Sequence, residues 1–225
     1  MTSYSTPFQT LNWPSFVAVS SAVLADWAFP ISPEEQLSVG PMAAWRLAEF
    51  SQGRRHARRA LAQLGVAEAS LPSQSDRSPR WPPGFTGSIS HVPARPELQQ
   101  KGYVIAVAAR CKQVCGGLGV DLERTGLLPP GHWPLFMSPT ELVRLERLPQ
   151  GRRSERAHAL WSAKEAAMKA LVLPLDPLTI EVEVHDDGLA FVAHCRIPGV
   201  TRSLVSVNGS LSFEPGWVLA LAMLI

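Results

Sequence analysis

The chain has 225 residues, with 21 lysines and arginines against 19 aspartates and glutamates, a net charge of +2, and a composition 46% hydrophobic and 18% charged. That balance excludes a disordered chain and gives no general electrostatic case for a nucleic-acid partner. It suits one domain of generous size, or two small subdomains sharing a core.

From the start, "MTSYSTPFQTLNW" lacks the basic opening of a signal peptide. No apolar run reaches the roughly 20 residues of a membrane span, so no membrane partner is expected. Ser15–Leu24 has strand character. Pro41–Gly65 reads as a long helix, with proline suited to its first turn and glycine to its stop. Within it "GRRHARRAL" crowds Arg54, Arg55, Arg58 and Arg59, either to hold phosphates or as a solvated basic face. Positions 66–84 mix Ser, Pro and Arg without periodicity and read as a loop. "GFTGSISH" reads as a strand ending at His91, and Tyr103–Ala109 as a buried strand. Cys111, Cys115 and Cys195 form neither a disulfide framework nor a zinc pattern, and are expected to be reduced thiols of a cytoplasmic protein.

Leu118–Glu123, "LGVDLE", is a third strand, followed by the irregular "RTGLLPPGHWPLFM". Ser138 and Glu141 form a capping box that opens a helix. A second helix runs from about Ser154 to Leu171 and is ended by Pro174. The runs "LTIEVEVH", "LAFVAHCRI", "TRSLVSV" and "WVLALAMLI" are all strand-like. "GSIS" at Gly87–Ser90 and "GSLS" at Gly209–Ser212 each precede an apolar run and follow a long helix. Two copies of one unit would explain this echo. The expected fold is therefore α+β, with two similar α/β subdomains in a pseudo-two-fold arrangement, each a long helix on a small, mainly antiparallel sheet. The halves are residues 1–117 and 118–225, one continuous folded unit with its site in a cleft between them.

Alternation along "GVDLE" places Asp121 and Glu123 on one face of a strand, where two carboxylates repel unless a cation or water separates them. Hard oxygen ligands of this kind suit Mg2+ or Mn2+; a solvent-facing acidic strand end is the plain alternative. In "LWSAKEAAMKAL", Glu165 lies between Lys164 and Lys169. The spacing from Glu165 to Lys169 makes an ordinary helix pair, while the small neighbours Ala163, Ala166, Ala167 and Ala170 would let the helix approach a strand or ligand closely. Ser90 and His91 end their strand beside a loop. No nucleophile elbow, H-E-x-x-H or phosphate loop ending in Lys-Ser/Thr is found.

Five segments in order, "RLAEFSQGRRHAR", "RSPRWPPG", "GSISH", "GVDLE" and "WSAKEAAMKA", resemble the signature of the 4'-phosphopantetheinyl transferases, in particular the monomeric, double-length class typified by the surfactin and enterobactin activators. The resemblance covers about Arg46 to Leu171. It implies transfer of the phosphopantetheine arm of coenzyme A to a serine of an apo acyl or peptidyl carrier protein, with release of adenosine 3',5'-bisphosphate. It further implies that Asp121, Glu123 and Glu165 bind Mg2+, that Lys169 contacts the pyrophosphate, and that Ser90 and His91 hold coenzyme A phosphates. Arg46, Arg54 and Arg77 would grip the nucleotide end, with Arg80 or Ser73 as alternatives to Arg77. Glu165, or a water it orients, would be the base for the carrier serine. The carrier's expected dock is Leu127–Leu148, where Trp133, Leu135, Phe136 and Met137 lie beside Arg144 and Arg147; Phe136 and Met137 could equally staple the next helix to the core. A metal-dependent phosphodiesterase, or a non-catalytic coenzyme A or carrier-binding module, would use the same residues differently.

Overall fold

The computed structural model describes residues 13–114, 117–197, 199 and 204–224. The signal-peptide reading of 1–12, the Cys115 thiol, the start of the run at 201–203 and Ile225 lie outside the described residues. The chain divides into two compact units, Trp13–Leu118 and Gly119–Ile225.

The first unit contains β1 (Ala18–Val23), α1 (Pro33–Val39), α2 (Ala44–Gln63), β2 (Phe85–Val92) and β3 (Tyr103–Arg110). β3 lies between β1 and β2 and is antiparallel to both. Its residues Val104–Ala109 are fully buried, which accounts for an apolar run without alternation. α2 lays Ala57, Ala60 and Leu61 into the core formed with Ala106 and Ala108. The helix starts at Ala44 and not Pro41, because Ala43 is extended and acts as the N-cap; Gly65 follows its end at φ +90°. α1 is too short to announce itself by periodicity. Its capping box is complete, with Ser32 Oγ accepting from Glu35 N and the Glu35 carboxylate accepting from Ser32 N.

The second unit contains β4 (Leu118–Arg124), α3 (Pro139–Glu146), α4 (Gln150–Leu171), β5 (Ile180–Val184), β6 (Ala190–Arg196), β7 (Leu204–Glu214) and β8 (Trp217–Met223), with sheet order β4-β8-β7-β6-β5. Neighbours from β5 to β8 pair antiparallel. The Ser138–Glu141 box caps α3 as expected. α4 begins earlier than its apolar pattern suggested, at Gln150 after Pro149, and ends where Val172 turns left-handed. β7 runs through the whole "GSLS" stretch, which is therefore strand and not a connection.

The two units repeat one another in chain order: strand, short capped helix, long helix, then two strands, with β5 and β6 added in the second. In both, the last strand lies between the first and the one before it. The repeat extends to single residues. Glu35 and Glu141 are each the last residue of a Ser-Pro-x-Glu box and each is buried. Each bonds a cation 23 residues later, Arg58 at 2.6 Å and Lys164 at 2.7 Å. The echo of "GSIS" and "GSLS" has a steric basis, because a side chain at Gly87 or Gly209 would collide with the Trp81 or Phe191 ring.

Candidate active site

The odd-numbered residues of β4 face α4. A Cβ on Gly119 would run into the Ala166 carbonyl and crowd Ala170 N, so the glycine permits a helix-to-strand approach that the alanines of α4 invite. Two residues on, Asp121 Oδ1 accepts from Lys169 Nζ at 2.6 Å. Two further, Glu123 Oε1 accepts from Trp161 Nε1 at 2.9 Å, and the Trp161 ring rests edge-on against Phe136 with centroids 5.0 Å apart. Ser162 Oγ donates to the Asp121 carbonyl, and Lys169 Nζ also donates to the Val120 carbonyl at 3.2 Å. Strand and helix are thus fastened along one seam. Glycine, aspartate and glutamate alternate on one side of it; tryptophan, glutamate and lysine recur every helical turn on the other.

Glu165 lies on that seam between Trp161 and Lys169. It is half-buried, and no described residue hydrogen-bonds to its carboxylate. Burial, then the charge of Asp121, push the Glu165 carboxyl up, with Lys169 opposing. Glu123 is pushed up to about 8, first by burial and then by Asp121. Among the described residues, no three Asp, Glu, His or Cys side chains stand together as a ready metal cage, because Asp121 is turned to Lys169 and Glu123 to Trp161. The donor chemistry nevertheless fits a hard divalent cation, which would offset the repulsion that the Asp121 charge exerts on Glu123 and Glu165.

Lys164 leaves α4 on a different side from Glu165. It is fully buried and donates to the Phe136 carbonyl, to Glu141 Oε2 and to the Pro177 carbonyl, at 2.7, 2.7 and 2.9 Å. The two lysines that flank Glu165 in sequence therefore do not flank it in space: only Lys169 shares the seam with the acids.

In the first unit, Arg46 Nη1 lies 2.9 Å from Glu49 Oε2 and 3.2 Å from His91 Nε2, and His91 Nε2 lies 3.3 Å from the same Glu49 oxygen. The imidazole accepts from Arg46 with its proton on Nδ1, or donates to Glu49 with it on Nε2. Burial would raise the Glu49 carboxyl, but the hydrogen bonds from His91 and Arg46 outweigh it and hold the group below its ordinary range. Glu49 was not singled out from sequence, although its position three residues after Arg46 on a helix was the available signal. Ser90 is buried while His91 is half-exposed. As successive strand residues they leave on opposite faces, so a ligand bound by both would meet them at different points of its length.

Arg54, expected at the nucleotide, is buried, and its guanidinium is engaged by the following loop: Nε donates to the Leu71 carbonyl at 2.6 Å and Nη2 to Ser73 Oγ at 3.0 Å. Burial pulls its pKa down to about 10. Arg77 is exposed at the tip of that loop, at φ 70°. The proposed dock is corrected in part. Phe136 and Met137 are core residues, 4% and 1% exposed, and Trp133 is tied to the Leu128 carbonyl. Arg144 is paired with Glu181 and Glu183, while Leu135 remains 70% exposed. Cys111 and Cys195 are free thiols. No helix among the described residues is long and apolar enough to cross a membrane.

Comparison with known proteins adds an independent line. Residues 34–109 match the 4'-phosphopantetheinyl transferase N-terminal domain, and residues 117–222 match the 4'-phosphopantetheinyl transferase superfamily. The chain is 32% identical over 204 residues to the 4'-phosphopantetheinyl transferase PptT of Mycobacterium tuberculosis, covering 85% of each chain. It is 28% identical over 218 residues to the 4'-phosphopantetheinyl transferase Npt of Nocardia iowensis, covering 90% of this chain and 91% of that one.

Proposed function

The chain belongs to the 4'-phosphopantetheinyl transferases, and from that premise we propose that it moves the phosphopantetheine arm of coenzyme A onto a serine of an apo acyl or peptidyl carrier protein. The serine oxygen bonds to the phosphorus next to the pantetheine arm. The bond from that phosphorus to the bridging oxygen breaks, and adenosine 3',5'-bisphosphate leaves with that oxygen. Such a reaction needs charge neutralisation and alignment more than a protein nucleophile, in keeping with a chain that offers acids, one lysine and arginines. Asp121, Glu123 and Glu165 would hold Mg2+ or Mn2+, which when bound neutralises charge on the pyrophosphate and on the leaving bisphosphate.

The observation that carries this reading is the Glu165 carboxylate, half-buried, raised in pKa and bonded by no described residue, on the same seam as Asp121 and Lys169. A carboxylate so raised is a better proton acceptor than an exposed one. It takes the serine proton directly or through a water that it orients. Lys169 Nζ has three protons; two go to Asp121 and the Val120 carbonyl, and the third is available to a phosphate oxygen. Trp161 orients Glu123. In the first unit, Arg46, His91 and Arg77 supply contacts to the nucleotide end, Ser90 a further phosphate contact, and Arg54 holds the Arg77 loop. Both sets of residues belong to one chain, which supports action as a monomer.

The test is incubation with coenzyme A, Mg2+ and a panel of apo carrier proteins, read by the mass of the carrier. The wild type should add one phosphopantetheine per carrier, EDTA should stop it, and Mg2+ should restore it. Glu165→Gln should lower turnover by about 10²- to 10⁴-fold. Near-normal transfer by that variant would refute the assignment. Breakdown of coenzyme A with no carrier present would favour a phosphodiesterase instead.

A further inference from the structure

α1 contributes no side chain to the groups described above, yet it is bonded repeatedly to the loop after α2. Ser32, Glu35 and Ser38 recur one turn apart. Ser32 Oγ lies 2.7 Å from Ser70 Oγ, Glu35 Oε1 accepts from Leu71 N at 3.0 Å, and Ser38 Oγ accepts from Ser73 N at 2.9 Å. α2 grips the same four-residue stretch, Ser70–Ser73, through the two Arg54 bonds to Leu71 and Ser73. Glu35 is the centre of this arrangement. It is fully buried, and its two oxygens accept from Ser32 N, Leu71 N and Arg58 Nη1.

Beyond the grip, the chain folds back on itself. Ser73 pairs with Pro79, Gln74 N donates to the Ser78 carbonyl, and Asp76 Oδ1 accepts from both Ser78 N and Ser78 Oγ. Arg77 and Arg80 extend from this turn, both exposed. Two cationic side chains are therefore presented on a short turn whose base is clamped by two helices. A turn held in place before binding does not have to be ordered by its ligand, and the saving appears as affinity.

We propose that Glu35 is a positioning residue for coenzyme A: through α1 it fixes the base of the 71–80 turn, holds Arg77 and Arg80 toward the anionic nucleotide end, and sets affinity without touching the ligand. This rests on the reading of coenzyme A as the donor substrate. The effect belongs to ligand binding and not to the chemical step, so it separates KM from kcat.

Glu35→Gln keeps the shape and removes the charge that Arg58 faces, while Ser38→Ala keeps that charge and removes the tie to Ser73 together with the bond that Ser38 Oγ donates to the Glu35 carbonyl. The KM for coenzyme A should rise about tenfold in Glu35→Gln and about threefold in Ser38→Ala, with kcat changed less than about twofold. Amide hydrogen exchange at Leu71 and Ser73 should quicken in both variants. Calorimetric titration with coenzyme A should report the same loss of affinity without turnover. If Glu35→Gln does not fold, Ser38→Ala decides by the same readouts. Faster exchange at 71–73 with unchanged KM and Kd overturns the proposal, as does a fall in kcat at constant KM. A wild-type chain that bound no coenzyme A would remove this reading together with the donor assignment; a loosened turn with full affinity removes this one alone.

Discussion

Lys164 and Lys169 occupy one helix and meet different ends. Consecutive helical residues diverge by about 100°, so Lys164 enters the core beside Glu141 while Glu165 and Lys169 stay on the seam with Asp121. The buried pair is a commitment of the fold: removing one partner leaves the other charged and unmatched. Lys164→Met should therefore destabilise the protein by about 3–5 kcal/mol in a denaturant melt, and Lys164→Met combined with Glu141→Leu should recover much of the loss. Equal stability of the single and double variants would contradict this account. From the sequence, strand alternation paired Asp121 with Glu123 and helical spacing paired Glu165 with Lys169, while the joining of the two pairs was what the family resemblance implied. The separate fate of Lys164 was not legible, since the register of a helix against its neighbours depends on what fills the space behind it, here Phe136, Glu141 and Pro177. Arg54 was expected at the nucleotide from the family resemblance; its bonds to the Leu71 carbonyl and Ser73 were not legible, because a cluster of arginines looks alike in sequence whether each meets solvent or a carbonyl.

At the scale of elements, the seam between β4 and α4 depends on Gly119. A methyl group there meets the backbone of Ala166, which cannot swing aside as a side-chain end could. Gly119→Ala should push α4 outward, cost about 1–3 kcal/mol of stability and depress transfer by displacing Glu165 and Lys169 from Asp121; full activity with normal stability would show that the seam is looser than drawn. Long elements were legible by period, and α3 by its capping box. α1 has the same box and went unread because seven residues give no repeat to count. The Leu127–Leu148 stretch looked like an open apolar surface because hydrophobic residues in an irregular segment carry no periodic sign of which way they point; Phe136 and Met137 in fact fill the core of the second unit.

Taken whole, the molecule is two versions of one plan whose equivalent positions have diverged. Lys169 reaches the carbonyl of Val120, and Gln63 that of Val19; near these bonds one copy carries Asp121 and the other Ser20, which bonds His56. The echoing Gly-Ser segments made the duplication legible, but the added β5 and β6 obscured the matching of strands. The burial of His56 in the first copy has a cost in acid. Burial, then Arg59 and Arg55, pull His56 down to about 4 from the usual 6.5. The unfolded chain takes up this proton first, so the stability it governs is intact above about pH 6.5 and is lost as pH falls toward 4, by about 3 kcal/mol. Denaturant melts from pH 7 to 4 should show the decline, and His56→Gln should reduce it; an unchanged slope in that variant would place the acid sensitivity elsewhere. Sheet order has a consequence during synthesis. β4, which bears two of the acids, is hydrogen-bonded to β8 and to no other strand among the described residues. As the ribosome delivers the chain, β4 must wait beside a growing nascent polypeptide until residues 217–223 emerge, so the second unit closes late and its exposed strand is a natural client for a chaperone.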